Sequence, residues 1–271
     1  MIIDCFTFFN EYDMLEGRLE YLYNHVDYFV IVEANLSFSG KPKPYNYVDN
    51  ISRYRPYADK ILYFPVDIRR EDYVWSTGSK REFTTDDAEW QVEYTQRNHI
   101  GHALKLFHNE AIALVGDIDE IPNRDSLSQT VAALNTAPAV SLNQKVLVYN
   151  LTREQIGTWY GTVAAKCGVV KAVSAQHCRD SRFFEMPHID NGGWHLTYWG
   201  DVDQIRTKLE NFAHQEKNTP EYTDTNLIQR RIELGLHPLE PIELVHEGFT
   251  RSIPITGLPQ GLVDVFSKYE R

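Results

Sequence analysis

The chain has 271 residues, enough for one large α/β domain, and its 42% hydrophobic content supports a real core. A formal net charge of −11 disfavours a nucleic-acid backbone binder, which needs a basic face. Cys5, Cys167 and Cys178 lack Cys-x-x-Cys spacing, so neither a disulfide framework nor a structural zinc site is expected. No apolar run approaches the roughly 20 residues of a membrane span, and no signal-peptide pattern opens the chain. A soluble, cytoplasmic protein is the expectation.

Ile2–Phe9 is apolar and aromatic almost throughout, which predicts a strand covered on both faces. Asn10, Glu11 and Asp13 mark a turn. Met14–His25 then has helical spacing, with Leu15, Leu19 and Leu22 as its apolar stripe and Arg18 in the same face region. Tyr28–Val32 is a second strand ending in Glu33, and the whole has the size of a parallel βαβ unit. Asn35–Pro44 is a Ser, Gly, Lys and Pro-rich loop, and Ile61–Val66 a third strand. Residues 67–87 hold no period, as in a lid or binding loop. Trp90–Phe107 predicts a helix in which Glu93 and Arg97 form an ion pair. Ala111–Val115 predicts a buried strand bounded by Gly116.

A helix over Ser126–Leu134, a strand over Ala139–Tyr149, and one or two strands within Thr158–Val173 follow. Ala175–Asn191 is irregular and polar, and Trp194–Trp199 has strand character. Asp201 and Gln204 make a capping box for a helix with Val202, Ile205, Leu209 and Phe212 on one face. Thr225–Leu234 is another helix, stopped by Gly235. Without repeats, low-complexity tracts or linkers, residues 1–271 are read as a single domain.

The stretch Ala111–Pro122, AIALVGDIDEIP, ends in the carboxylates Asp117, Asp119 and Glu120. Such a cluster at the exit of a buried strand is costly unless a cation joins it. Ligands of open α/β sheets gather at the carboxyl ends of strands. A divalent metal and a phosphate-bearing substrate are the natural partners; the plainer alternative is a helix N-terminus with Pro122 in its first turn. Glu33 is either a ribose acceptor or an exposed strand-end acid. Lys41 and Lys43 either fold over phosphates or are solvated, and Arg97 offers a planar fork for phosphate oxygens unless Glu93 claims it. In Asn191-Gly-Gly-Trp-His195, a double-glycine turn precedes an aromatic and an imidazole. Trp194 suits stacking on a sugar or base. His195 suits metal binding or proton transfer, with a structural histidine as the alternative. Glu185 and Asp190, just upstream, are candidate general bases or ordinary surface acids.

These residues together resemble glycosyltransferase family 17. The likeness is carried in order by DCFTFFNEYDMLEGRLEYL (4–22), VDYFVIVEANLSFSGKPKP (26–44), EYTQRNHI (93–100), VGDIDEIP (115–122), GGWHLTYWG (192–200) and KLENFAH (208–214). It implies a GT-A-like, Rossmann-type α/β fold with a mixed, mostly parallel central sheet. The donor-binding half would be about 1–125 and the acceptor-side half about 126–271. It also implies a nucleotide-sugar donor, UDP-N-acetylglucosamine, a divalent cation (Mn²⁺ or Mg²⁺), a glycan or glycoconjugate acceptor, and inversion at the anomeric carbon. Asp117 and Asp119 match the Asp-x-Asp motif and, with His195, are the implied metal or diphosphate contacts. Asn10, Glu11, Glu33, Lys41, Arg97, Asn98 and Trp194 are assigned to the donor pocket. Asp190, with Glu185 as alternative, is assigned as the base. The Golgi anchor and stem of the animal enzyme are not found, which suggests a bacterial or viral type of protein. A sugar nucleotidyltransferase and a non-catalytic carbohydrate-binding protein are the rival readings.

Overall fold

The structure, a computed structural model, describes residues 1–75, 84, 86–183, 186–242 and 249–270. Its strands are β1 (Ile2–Thr7), β2 (Tyr28–Ala34), β3 (Ile61–Val66), β4 (Ile112–Asp117), β5 (Glu120–Pro122), β6 (Ala139–Val148), β7 (Arg153–Lys166), β8 (His188–Thr197) and β9 (Thr250–Ser252). They form one sheet in the order β3-β2-β1-β4-β7-β6-β8-β5, with β9 added beside β7. β3, β2, β1 and β4 pair in parallel. β7 runs antiparallel to β4, β6 and β9, while β8 is parallel to β6 and antiparallel to β5. The α/β class and the mixed sheet are those expected.

Alternation along the strands sends successive side chains into two cores. On one face Phe6, Phe29, Ile31 and Leu114 meet Leu15, Leu19 and Leu22 of the helix Tyr12–Leu22. On the other, Ile3, Cys5, Val30, Val32, Ala113 and Val115 meet Val92, Ile100 and Ala103 of the helices Ala88–Asn98 and Ile100–Ala103. Each fully buried side chain of this kind contributes about 1.5–3 kcal/mol. Burial on both faces sets the height of β1 and β4, and with it the height of Asp117.

Several local expectations change. The Trp90–Phe107 helix is instead Ala88–Asn98 followed by the short Ile100–Ala103. Thr158–Val173 divides into the end of the 14-residue β7 and the helix Cys167–Val173. The irregular stretch from Ala175 holds the helix Ala175–Asp180, started by a Ser174 side chain that accepts from the His177 N–H. Pro122 ends β5 rather than starting a helix. Gly192 and Gly193 lie inside β8 rather than in a turn. A Cβ on Gly193, at φ +149°, would fall 2.1 Å from the Ile121 carbonyl oxygen, so the close approach of β5 requires glycine there. The Asp201–Gln204 capping box is present, and Gly235 ends Thr225–Leu234 at φ 66°. Of the stretch 67–87, residues 76–83 and 85 lie outside the described residues. Among the described residues no helix is long and apolar enough to cross a membrane.

Candidate active site

β4 brings Asp117 to the carboxyl end of the parallel strands, level with Thr7 of β1. The chain turns through Ile118, whose side chain is buried, and enters β5, where Glu120 stands opposite His195 of β8. Asp117 and Asp119 line the crevice above, while Glu120 is fully buried beneath it. Gly116 lies within β4 rather than ending it. A Cβ there would sit 2.6 Å from Thr162 Oγ1 and 3.0 Å from Glu120 Oε2, because the Glu120 carboxylate is folded against its backbone.

Arg18 holds this turn. Its Nη1 donates to the carbonyls of Asp117, Ile118 and Glu120 at 2.7, 3.0 and 2.8 Å. Its Nε and Nη2 donate to the Asp4 carboxylate of β1 at 2.8 and 2.7 Å, and both side chains are fully buried. Helical spacing puts Arg18 on an apolar face. Its burial is compensated by a paired carboxylate and three carbonyls, which use most of the donors of the guanidinium.

Cations also engage every carboxylate of the turn. Asp117 Oδ1 accepts from Arg97 at 2.9 Å and Oδ2 from Arg179 at 2.8 Å. Glu120 accepts from Arg179 at 2.5 and 2.8 Å and from Trp159 Nε1 at 2.9 Å. Asp119 Oδ2 accepts from Lys208 Nζ at 2.7 Å, and its Oδ1 lies 3.5 Å from His195 Nε2. Burial would push both aspartates up, but Arg97 and Arg179 hold Asp117, and Lys208 and His195 hold Asp119, well below the usual carboxylate range. Glu11, which accepts from the Phe9 and Asn10 N–H groups, is raised by burial against the opposing pull of Lys208.

These side chains line a cavity of about 600 Å³, which falls in the size range of small-molecule sites. Of the residues singled out in the sequence, Glu11, Lys43, Arg97, Asp117, Asp119 and His195 line it. Asn10 borders a small cleft next to it, shared with Glu11, Asp119 and Lys208. The others are placed elsewhere. Glu33 is fully buried, and its oxygens accept from Lys43, Tyr63 and the N–H groups of Asn46 and Tyr47, so it organises the loop after β2. Lys41 is exposed and reaches the Glu210 carbonyl, whereas Lys43 lines the cavity. Asn98 accepts from the Gln176 N–H and thereby positions the residue whose Oε1 bonds Arg97. Trp194 packs edge-on against Tyr21 in the core, since adjacent residues of a strand face opposite ways and His195 takes the cavity side. Asp190 is exposed near the start of β8, bonded to Asn143, and does not line the cavity. Glu185 lies outside the described residues.

Arg179, Lys208 and Trp159 were not singled out. Lys208 stands next to Leu209 on a helix read only for its apolar stripe, and Arg179 lies in a stretch without period. Among the described residues no group of three His, Cys, Asp or Glu side chains converges as a metal site. The pair Asp119 Oδ1 and His195 Nε2 stands 3.5 Å apart, about half an ångström wider than two neighbouring ligands of one octahedral cation. An octahedral edge is about 3 Å for bonds near 2.1 Å, and such cations commonly complete their shell with substrate phosphate and water.

His237 also lines the cavity, and burial pushes its pKa down to about 4 from 6.5. It is therefore neutral in the folded chain but charged in the unfolded chain at mildly acidic pH. Its contribution disfavours folding increasingly as pH falls from 6.5 towards 4, by up to about 3 kcal/mol. His237→Asn is expected to narrow the loss of urea stability between pH 7 and pH 4.5. An unchanged loss would contradict this.

A family profile described as Glycosyltransferase family 17 matches residues 1–250. The chain belongs to glycosyltransferase family 17. One relative of this family-17 chain is the β-1,4-mannosyl-glycoprotein 4-β-N-acetylglucosaminyltransferase of Rattus norvegicus, 25% identical over 133 residues. That match covers 46% of this chain and 22% of the relative, so the chain spans about a fifth of the relative's length. Two solved structures are similar at low scores. One is a 4-diphosphocytidyl-2C-methyl-D-erythritol synthase, with 12% identity, 70% of this chain and 88% of that chain covered, and a TM-score of 0.40. The other is the galactosyltransferase LgtC in complex with donor and acceptor sugar analogs, with 11% identity, 81% and 84% covered, and a TM-score of 0.35. Neither likeness bears on the site of this family-17 chain.

Proposed function

We propose that this glycosyltransferase takes a UDP-sugar, with N-acetylglucosamine as the sugar moved, and transfers it to a saccharide hydroxyl with inversion. The observation that carries the reading is the pair of backbone-anchored carboxylates, Asp117 and Asp119, at the strand ends of a ligand-sized cavity. Arg97, Arg179 and Lys208 are held beside them and place positive charge where a leaving diphosphate gains negative charge, without reorganisation during reaction. A divalent cation held by Asp119 and His195 would add Lewis-acid stabilisation of that leaving group. Both Asp117 oxygens are engaged by arginines, and Asp119 has one oxygen on Lys208 and the other facing His195, where the cation would sit, so neither carboxylate is placed to bond the sugar. This favours a single displacement over a covalent sugar–enzyme intermediate. Asp190, the residue assigned as the base, is exposed and accepts from Asn143.

The test is a thermal-shift panel of nucleotide sugars with and without Mn²⁺, followed by UDP release in the presence of saccharides. A ligand at 100 times its Kd stabilises by about 2.7 kcal/mol, a shift of several degrees. UDP-N-acetylglucosamine is expected to give the largest shift, and more of it with Mn²⁺. A panel in which no nucleotide sugar shifts the melt would sink the reading. Pyrophosphate release from UTP and a sugar 1-phosphate would instead identify a sugar nucleotidyltransferase.

A further inference from the structure

Arg182 sits in the turn Ser181–Phe183, directly after the helix that carries Arg179, and lines the cavity on its β7 side. Its Nε donates to the Tyr160 carbonyl at 2.7 Å and its Nη1 to the Arg179 carbonyl at 2.5 Å. These bonds hold the guanidinium 4.2 Å from the Phe183 ring and 5.8 Å from that of Trp159. Arg97, Arg179 and Lys208 each have a carboxylate within 3 Å. Arg182 forms no ion pair among the described residues, and its Nη2 has no hydrogen-bond partner among them. Burial and the neighbouring Arg179 push its pKa down to about 10, the direction expected of a cation lacking its counter-charge. A half-buried guanidinium held by neutral carbonyls is costly, and an incoming oxyanion recovers that cost.

We propose that Arg182 docks a carboxylate or phosphate carried by the acceptor, so that the enzyme glycosylates an acidic saccharide. The inference rests on the glycosyl-transfer reading above and specifies its acceptor. The place of Arg182 beside β7 is across β4 from β1 and β2. The crevice for a nucleotide lies at the carboxyl ends of β1, β2 and β4, where Phe8, Leu36 and Asp117 line the cavity. Arg182 stands on the β7 side of β4, away from β1 and β2, beside the exposed ring of Phe183 and Trp159, whose ring stacks on His195. Aromatic faces beside a planar, bidentate donor suit a sugar ring bearing an anion.

The experiment measures binding of methyl β-D-glucuronide, glucose 6-phosphate and neutral methyl β-D-glucoside, with and without UDP and Mn²⁺. It compares wild type, Arg182→Gln and Arg182→Lys, with a parallel UDP titration of each. Wild type is expected to prefer at least one acidic probe over the neutral one by about tenfold, the size of one charge-assisted hydrogen bond. Arg182→Gln is expected to lose that preference while binding UDP within about twofold of wild type. Arg182→Lys, which keeps the charge but not the fork, is expected to retain part of it and decides the matter if the glutamine variant melts early. No acid preference in wild type, or an undiminished one in Arg182→Gln, overturns the proposal. A tenfold loss of UDP affinity in Arg182→Gln also overturns it, since Arg182 would then serve the donor phosphates. Acid preference in a wild type that binds no UDP would leave the anion site standing and remove the UDP-sugar reading instead.

Discussion

Asp119→Asn is expected to lower sugar transfer by at least about 10²-fold, the scale of losing one preorganised electrostatic contact at a reacting phosphate. The substitution keeps the shape of the side chain but removes the charge that faces Lys208 at 2.7 Å and His195 at 3.5 Å. It leaves the Lys208 ammonium beside a neutral amide, so a stability loss of about 1–3 kcal/mol accompanies it. The sign of the pH dependence follows from the depressed pKa of Asp119. A carboxylate of that kind stabilises fully above its unfolded pKa and loses the effect only as pH falls through the folded value. The variant should therefore melt earlier than wild type at pH 7 and approach it in strong acid. Lys208→Met should cost less in the Asp119→Asn background than in wild type, because the two side chains share one interaction. UDP release and melting curves on the four proteins check this. Turnover within a few-fold of wild type in Asp119→Asn would remove the acidic turn from the mechanism.

Arg18→Met is expected to be the most destabilising single change at the site, by about 3–5 kcal/mol. It strands a fully buried Asp4 and deprives the carbonyls of Asp117, Ile118 and Glu120 of their shared donor. At about 2–4 °C per kcal/mol for a chain of this class, the melt should fall by roughly 10 °C. The double variant Asp4→Leu with Arg18→Met removes the stranded charge and should regain part of that stability. It does not return a donor to the three carbonyls, so UDP-sugar turnover should stay low in both. Recovery of activity along with stability would show that Arg18 matters to the core alone. A single variant that melts within a degree of wild type would refute the structural role altogether.

The parallel half of the fold was legible because its strands announce themselves as short apolar runs, with β1, β2 and β4 buried on both faces. β3 matches its expected bounds, and β1, β2 and β4 shift by only one or two residues. β7 was harder. Its first half, from Arg153 to Tyr160, is half-buried or exposed apart from Glu154 and mixes polar with apolar residues, so no alternation marks it before the buried run at Gly161–Ala165. The helix Ala175–Asp180 has six residues, too few to display a 3.6-residue period. That gap hid Arg179. Asp117 and Asp119 could be read because a buried strand runs straight into them. Their cationic partners could not, since Arg179 and Lys208 approach from 62 and 89 residues away. Asn98 and Glu33, which fall in family-like blocks, are both engaged within the protein. Each spends its hydrogen bonds on the chain that shapes the cavity.

The order of the sheet has a consequence for how the molecule meets its neighbours. β5 is its last strand, yet only Ile118 and Asp119 separate it from β4 in the middle of the order, so that flank must curl back towards the centre. An edge folded inward in this way offers little unpaired backbone to another chain. The opposite flank ends at β3, which has no strand beyond it among the described residues and contains Pro65. A proline there supplies no N–H to an incoming strand, and its rigid ring interrupts any continuous ladder. Replacing Pro65 would therefore restore a full set of ladder donors on a flank that, among the described residues, is open to strand addition and fibril-like stacking.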